Sequence, residues 1–241
     1  MTTESTILEA RDVAIHYGGV KALDGVSFAL RKGEIHGLIG PNGAGKSTVI
    51  DAITGRRRLT RGAVRLGGED ITALSVIERR KKGLARSFQR TSVFPNLGVQ
   101  AQIRLAAHKL GAASPDQETL DVMEQLDLVE VAGVPAQDLG YGQQRRLDLA
   151  LALVGRPIVL LLDEPMAGLS PQESSDLAQH LVALSRRWQV SVLLVEHDTD
   201  ILFSISDTVT VFELGRVIAN GCPADIRAHP RVQQAYLGSA A

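Results

Sequence analysis

A glycine-rich segment between a strand-like run and a helix-like run constrains this chain more than any other feature. Residues Gly40–Thr48 read GPNGAGKST and follow a β-rich run over Glu34–Ile39. They open a segment in which Val49, Ile50 and Ile53 recur at helical spacing. The glycines let the backbone curl so that several N–H groups face one anion, and the next helix adds the positive end of its dipole. This order predicts a phosphate-binding loop in an α/β fold.

Two side chains of this loop carry chemistry of their own. Lys46 would place a full positive charge at the outer phosphates, and the Ser47 hydroxyl is a group that Mg²⁺ accepts as a ligand. The alternative, a chance glycine-rich turn, is disfavoured by the matched strand and helix. The loop residues predicted to bind a nucleotide are Asn42, Gly43, Gly45, Lys46, Ser47 and Thr48.

A second motif places two carboxylates at the end of an apolar run, where Leu160–Pro165 read LLLDEP. A buried strand that ends at Asp163 delivers its carboxylate to the carboxyl edge of a parallel sheet, beside the phosphate loop. Asp163 is predicted to hold Mg²⁺ through water, and Glu164 is the candidate general base for an attacking water. A strand that ends in a solvated acidic turn is the alternative, which the phosphate loop in the same chain disfavours.

Hydrophobic patterning predicts an α/β architecture with two additions. Short β-rich runs between Ile7 and Ile39 are broken by turn residues and predict a small antiparallel sheet. From residue 158 onwards strand-like and helix-like segments alternate, with a helix predicted over Glu173–Trp188, and this order is typical of a parallel sheet with crossover helices. Helical spacing over Val99–Val131 predicts an inserted helical subdomain. We expect one domain, with a core over residues 1–88 and 154–241 and the helical subdomain over residues 89–153.

Composition and charge argue against several classes of protein. The 26 basic and 27 acidic residues give a formal net charge of −1, so no global field draws the chain to nucleic acid. The most apolar run, Ile158–Leu162, is far shorter than the roughly 20 residues of a membrane helix. The polar start Met1–Thr6 predicts no cleaved leader. We therefore expect a protein that neither crosses a membrane nor binds nucleic acid.

Five motifs stand in the order and approximate spacing of the ABC ATPases, which this chain resembles over nearly its whole length. They are Gly40–Thr48, Phe88-Gln89, Leu139–Gln143 (LGYGQ), Leu160–Pro165 and Val195–His197. The resemblance implies a P-loop NTPase core that hydrolyses ATP with Mg²⁺. It also implies a dimer in which two nucleotide sites form at one interface.

The resemblance assigns roles to residues outside the phosphate loop. Gln89 would contact the metal and the water and sense the transmembrane partner, and His197 would touch the terminal phosphate. Tyr17 would stack on adenine, a contact worth about 1–3 kcal/mol per base, whereas ordinary sheet packing is the more frequent role of such a tyrosine. The implied catalytic residues are Glu164, His197 and Gln89, and the implied metal ligands are Ser47, Gln89 and Asp163.

The segment Leu139–Gln143 resembles the ABC signature, which closes over the nucleotide of the partner subunit. A helix that begins near Gly142 would aim its first N–H groups at the partner's terminal phosphate. The family usually has serine where this chain has Gly140, so a hydroxyl that would contact phosphate is missing. Such a loss costs about 1.5–3 kcal/mol, which weakens closure about ten- to a hundredfold. The implied nucleotide contacts are Gly140, Tyr141, Gly142 and Gln143.

A second departure lies at Ser170, where the family commonly has aspartate or asparagine in a loop that crosses the dimer. The change affects the loop through which the two nucleotide sites would communicate, although serine keeps a side chain that forms hydrogen bonds. An equal alternative is that the change has no effect on this communication. The Gly140 departure leads to the hypothesis that this subunit pairs with a different ATPase subunit; a homodimer is the alternative.

Several details resemble the importers for branched-chain and other hydrophobic amino acids. They are Tyr141, Gln143–Leu147, Gly83–Gln89, Ala167–Leu169 and the ending Ala235–Gly238. That subfamily uses two different ATPase subunits, two transmembrane permease subunits and an external substrate-binding protein. The resemblance therefore implies a peripheral subunit at the cytoplasmic face of the inner membrane. The permease would dock near residues 89–97, where Phe94 offers an apolar contact or equally packs in the core.

Three other classes are weighed against the importer. The ATPases of lipopolysaccharide exporters have a similar length and tail but usually keep the serine of the signature. ABC ATPases that remodel ribosomes or DNA generally carry two cassettes or long coiled-coil insertions. A phosphate-loop kinase would have no use for the Leu139–Gln143 and His197 elements.

Overall fold

The computed structural model describes residues 6–87 and 92–234 of the 241-residue chain. The strands are β1 (Thr6–Tyr17), β2 (Val20–Arg31), β3 (Ile35–Ile39), β4 (Arg61–Leu66), β5 (Glu69–Asp70), β6 (Leu84–Arg86), β7 (Val159–Asp163), β8 (Ser191–Val195), β9 (Thr208–Glu213) and β10 (Arg216–Gly221). The helices are α1 (Lys46–Ile53), α2 (Val76–Lys81), α3 (Val99–Leu110), α4 (Pro115–Gln125), α5 (Tyr141–Leu153), α6 (Pro171–Trp188), α7 (Thr199–Ile205), α8 (Pro223–Ala228) and α9 (Pro230–Val232). Two short 3-10 turns cover Val129–Val131 and Ala136–Asp138.

The described strands form two sheets of different character. The first has the order β2-β1-β4-β5 and is antiparallel throughout. The second has the order β10-β9-β3-β8-β7-β6 and is parallel except for the edge pair of β9 with β10. The α/β class predicted from the patterning is confirmed, with the antiparallel sheet first along the chain and helices inserted between β6 and β7.

The central strands of the second sheet are buried on both faces. Every residue of β3, β7 and β8 is buried, as expected for parallel strands covered by helices on both sides. Alternate side chains face opposite cores: Leu160 and Leu162 pack with residues of the inserted helices, whereas Leu161 packs with α1 and the antiparallel sheet. The strand ends, where polar residues follow, are therefore held between two cores.

Helix α6 begins two residues earlier than the apolar pattern predicts. The pattern places the start at Glu173, but the helix starts at Pro171. Ser170 is the N-cap: its hydroxyl accepts the Glu173 N–H at 3.3 Å, and the Glu173 carboxylate accepts the Ser170 N–H at 2.9 Å. This capping box, with proline in the first turn, accounts for the earlier start.

Helix α1 is held at its end by a buried arginine from α2. The Arg79 guanidinium donates hydrogen bonds to the carbonyls of Ala52 at 2.9 Å and Ile53 at 2.6 Å. These are carbonyls that the end of a helix leaves without an intrahelical partner. Within the described ranges no helix is long and apolar enough to cross a bilayer.

Candidate active site

The glycine-rich loop joins β3 to α1 in a backbone that needs glycine at two crowded positions. Gly40 has a φ of 148°, and a Cβ there would lie 2.3 Å from the carbonyl oxygen of Phe212 in β9. Gly45 has a φ of 106°, and its Cβ would lie 2.8 Å from a methyl carbon of Leu23 in β2. The loop is thus packed between β9 and β2 at the start of α1. Only glycine adopts these backbone angles at low cost.

The loop lysine is buried beneath the loop that carries it. Lys46 is 6% exposed, and its Nζ donates to the carbonyl oxygens of Gly40 at 2.6 Å and Pro41 at 3.1 Å. Burial lowers the pKa of Lys46, while the nearby charges of Glu164 and Asp163 act against this shift. The lysine is therefore held under the loop by two carbonyls, while the charges of two carboxylates favour its charged form.

Asp163 ends β7 directly beside the first turn of α1. Its Oδ1 accepts a hydrogen bond from the Ser47 hydroxyl at 3.2 Å, and its Oδ2 accepts one from Arg86 Nη2 at 3.1 Å. Arg86 also forms an ion pair with Asp51. Burial raises the pKa of Asp163, and the positive charge of Arg86 opposes this. Ser47 and Asp163 thus place two oxygen donors together, a donor set that fits Mg²⁺.

Glu164 leaves the strand in the left-handed region, with a φ of 53°. Its N–H still donates to the Val195 carbonyl at 2.9 Å, while its Oε1 lies 2.8 Å from Nε2 of His197. Glu164 lines a cavity of about 420 Å³ together with Lys46 and Ser47. The structure therefore brings the carboxylate, the histidine and the phosphate loop to one place.

The structure describes Tyr17, the predicted adenine contact, but not Gln89, the predicted metal contact. Tyr17 ends β1 and is 49% exposed, with the Arg57 guanidinium 6.0 Å from its ring centroid. Val20, at the start of β2, lines the same cavity as Lys46, and sequence reasoning did not single it out. Gln89 lies outside the described residues, so its predicted role stays a prediction; the tail Ala235–Gly238 also lies outside them.

The chain matches known proteins over almost its whole length. A family model described as ABC transporter covers residues 23–167. This chain belongs to the ABC transporter ATP-binding family. A second family model, described as branched-chain amino acid ATP-binding cassette transporter, covers residues 216–241. The family has an α/β fold with a phosphate-binding loop and hydrolyses ATP, so the predicted P-loop NTPase fold and ATPase activity are confirmed.

Individual relatives agree with this assignment. The chain is 36% identical to the high-affinity branched-chain amino acid transport ATP-binding protein BraF of Pseudomonas aeruginosa, over 97% of this chain and 98% of BraF. The chain is also 36% identical to the high-affinity branched-chain amino acid transport ATP-binding protein LivG of Escherichia coli K12, over 97% of this chain and 98% of LivG. A crystal structure of the ADP conformation of an ATP-binding cassette of an ABC transporter is similar with a TM-score of 0.88 and 29% identity, covering 98% of this chain and 100% of that one.

In this ABC cassette the signature residues begin helix α5. Gly140 is the N-cap, and its N–H donates to the Gln143 side chain at 3.2 Å. The Tyr141 hydroxyl donates to the Ala167 carbonyl at 3.1 Å, in the loop that follows Glu164. Among the described residues, the signature does not line the cavity beside Lys46 of its own chain. The signature and the phosphate loop are separate within one subunit.

The first turn of α5 is occupied by a carboxylate from the neighbouring helix. The Gly142 N–H donates to Glu173, and a Cβ at Gly142 would lie 2.4 Å from a carboxylate oxygen of Glu173. Hydrogen bonds from the backbone and hydroxyl of Ser170, and then from Gly142, hold the pKa of Glu173 below its usual value. Glycine at position 142 therefore lets the two helix N-termini share one carboxylate.

A buried arginine, which sequence reasoning missed, ties the signature helix to the catalytic turn. Arg145 is 2% exposed; its Nη2 donates to the Glu164 carbonyl at 2.6 Å and its Nε to the Pro165 carbonyl at 2.8 Å. Arg145 lies in the run Gln143–Leu147, which was noted for its resemblance to the importers, but that resemblance assigned no role to the arginine. The planar guanidinium fixes both carbonyls in one geometry.

Glu196 is a second buried residue that the sequence did not single out. Its carboxylate accepts the Met166 N–H at 2.7 Å and the His197 N–H at 3.2 Å. Burial raises the pKa of Glu196. Glu196 thereby joins the turn after Glu164 to the backbone of His197, so the two catalytic candidates share a support.

Arg145→Lys should slow hydrolysis more than it weakens binding, because lysine cannot hold the Glu164 and Pro165 carbonyls together. We expect kcat for ATP to fall about tenfold or more, with the Kd for ADP changed about twofold or less. Phosphate release and calorimetric titration measure the two quantities. Arg146→Lys is the matched control, since the Arg146 guanidinium lies 3.8 Å from the Asp127 carboxylate and holds no carbonyl of the catalytic turn among the described contacts. Equal losses in kcat and ADP affinity would contradict a positioning role for Arg145.

Proposed function

We propose that this ATPase hydrolyses ATP with Glu164 as general base, and that His197, the residue expected at the terminal phosphate, also orients the Glu164 carboxylate. The 2.8 Å contact between the two side chains, at the wall of the phosphate-loop cavity, is the observation that supports this most directly. Glu164 accepts a proton from the attacking water, and His197 holds the carboxylate by its Nε2. Lys46 and the loop N–H groups bind the phosphates and stabilise charge that develops on them.

Ser47 and Asp163 would hold Mg²⁺, with Gln89 as the third predicted ligand. Their oxygens lie 3.2 Å apart at the edge of the cavity, which supports this choice. When bound, Mg²⁺ neutralises part of the charge on the outer phosphates. Arg86 holds the second oxygen of Asp163 and so keeps the carboxylate oriented toward Ser47.

Glu164→Gln should abolish steady turnover while leaving nucleotide binding intact. Glutamine keeps the size of the side chain but cannot accept the proton of the water, and loss of a general base costs about 10²–10⁴ in rate. We expect phosphate release to fall at least about a hundredfold, with the Kd for ATP within about threefold of wild type. Glu130→Gln, at an exposed glutamate in a 3-10 turn, serves as the control. Residual hydrolysis near the wild-type rate would remove Glu164 from this role.

The proposed transport reaction is import of branched-chain or related amino acids or small amides. Support comes from the relatives BraF and LivG, both named as branched-chain amino acid transport proteins, and from the family match at residues 216–241. The cassette would work peripherally at the cytoplasmic face of the inner membrane, driven by closure of an ATP-bound dimer. An external substrate-binding protein would act on it only through the permease.

Vesicles that contain this chain with its permease subunits, second ATPase and binding protein should take up leucine when ATP is supplied. Urea, an aliphatic amide and an aromatic acid are tested beside leucine. The same vesicles with Glu164→Gln in this chain are the control and should lose most of the uptake. ATP-dependent flux in the outward direction would contradict the importer.

A groove beside α5 is the proposed docking site for the permease. It has a volume of about 320 Å³ and is lined by Val76, Leu84 and Leu151, among others. Asp148 of α5 accepts hydrogen bonds from the Ser87 hydroxyl at 2.9 Å and the Ser92 N–H at 3.0 Å. Those two serines flank residues 88–91, the segment that contains Gln89. A permease element in this groove would therefore act on Asp148, on the Gln89 segment and on the helical subdomain proposed over residues 89–153.

We also propose that the working ATPase is a heterodimer in which this chain supplies the weaker signature. Gly140 has the backbone of an N-cap, with φ −60° and ψ 156°, but no side chain to bind phosphate. A Cβ at this position would meet only the Gln143 side chain, at 3.8 Å, so a serine fits without rearrangement. The missing group can therefore be restored by one substitution.

Gly140→Ser should strengthen ATP-driven pairing of this chain with itself by about tenfold, because the hydroxyl restores a hydrogen bond to a charged group. Analytical ultracentrifugation of the Glu164→Gln background with ATP measures the dimer Kd. Gly133→Ser is the control, since a Cβ at Gly133 has nothing within 4 Å. An unchanged dimer Kd, or a wild-type homodimer at least as active as the heterodimer, would contradict the proposal.

A further inference from the structure

An exposed leucine stands at the wall of the phosphate-loop cavity without any role in the proposed chemistry. Leu214 is 82% exposed, more than any other large apolar side chain in the described part of the chain. It lines the same cavity as Lys46, Val20 and Glu164. A large apolar group open to water stabilises neither the fold nor the phosphates. Together with Val20, which lines the same cavity, it instead gives the cavity an apolar part of its wall.

The backbone at Leu214 is also unfavourable for leucine. Leu214 has a φ of 47° and the following Gly215 a φ of 75°, and together they form the two-residue turn between β9 and β10. Two left-handed residues in such a turn favour asparagine followed by glycine. A leucine there is held in the left-handed region, which L-residues with larger side chains seldom adopt. The position thus carries both backbone strain and apolar exposure, which points to a purpose outside the fold.

The turn is fixed to the phosphate loop by its backbone. The Gly215 N–H donates to the Ala44 carbonyl at 2.9 Å, and the Gly215 carbonyl accepts the Asp24 N–H at 2.9 Å. Arg216 adds an ion pair with Asp24 at 2.6 Å. A Cβ at Gly215 would lie 2.7 Å from the Ala22 carbonyl oxygen, so the close approach requires glycine. Leu214 is therefore held at a set position relative to the loop and to β2.

We infer that Leu214 is a nucleoside-contacting residue, which packs on the ribose and base of the bound nucleotide from the side of the β9–β10 turn. The inference rests on the proposed binding of a nucleotide in this cavity. An apolar side chain gains nothing from phosphate oxygens, but the sugar and base present apolar faces that it can cover. The residue would then act in binding the nucleoside part alone and not in binding the phosphates.

Leu214→Asn removes the apolar contact without destabilising the fold, because asparagine suits the left-handed turn better than leucine does. We expect the midpoint of urea unfolding to rise, while the Kd for ADP weakens about five- to tenfold. The Kd for inorganic pyrophosphate should stay unchanged, since pyrophosphate has no nucleoside. Leu214→Met, which keeps an apolar side chain, should retain the wild-type Kd for ADP. Ile77→Asn, at an apolar residue that is 69% exposed on α2, should change neither Kd.

Calorimetric titration of each protein with ADP and with pyrophosphate distinguishes the outcomes. An ADP affinity that Leu214→Asn leaves unchanged would overturn the inference. Equal weakening for ADP and pyrophosphate would also overturn it, because the substitution would then act through the phosphate loop. If wild type binds neither ADP nor pyrophosphate, the proposed nucleotide site itself fails, which is a different result from either of these.

Discussion

The parallel pairing of β3 and β7 on the two sides of β8 aligns the ends of three strands. Val195, the last residue of β8, pairs with Leu38 of β3 on one side and with Asp163 of β7 on the other. The glycine loop follows the end of β3. Asp163 is the last residue of β7 and Glu164 comes next, while His197 lies two residues beyond the end of β8. A slip of one residue in either pairing would turn the buried side chains to the wrong face. The hydrophobic cores on the two faces of the sheet therefore hold the catalytic residues in register.

Helix α5 connects this sheet edge to the proposed docking groove. Arg145 and Asp148 are three residues apart and so lie on one face of the helix. Arg145 binds the backbone of the turn that holds Glu164, and Asp148 binds the flanks of residues 88–91. Both side chains are buried, so their hydrogen bonds cannot be exchanged for water at low cost. A rotation of α5 would displace the catalytic turn together with Ser87 and Ser92, with the signature at the start of the same helix.

The sequence predicts this architecture well where local physics decides it. The strand, glycine loop and helix around Lys46 follow from period and composition, and the parallel sheet follows from the alternation after residue 158. The start of α6 was missed by two residues although Ser170 and Glu173 carry the signal of a capping box. Arg145 and Leu214 could not be found this way, because their importance comes from residues far away along the chain. No local pattern distinguishes a buried arginine from a solvated one, or a strained turn from an unstrained one.

The backbone at Glu164 shows why such strain persists at this site. In a continuing strand Glu164 would point to the face opposite Asp163, away from its neighbour. The φ of 53° ends the strand instead, and the carboxylate reaches His197 while the N–H keeps its bond to Val195. Glycine would adopt this conformation at lower cost, but it has no carboxylate. The proposed base therefore occupies a backbone conformation that its residue type disfavours. The buried supports, Arg145 on the Glu164 carbonyl and Glu196 on the Met166 N–H, offset that cost.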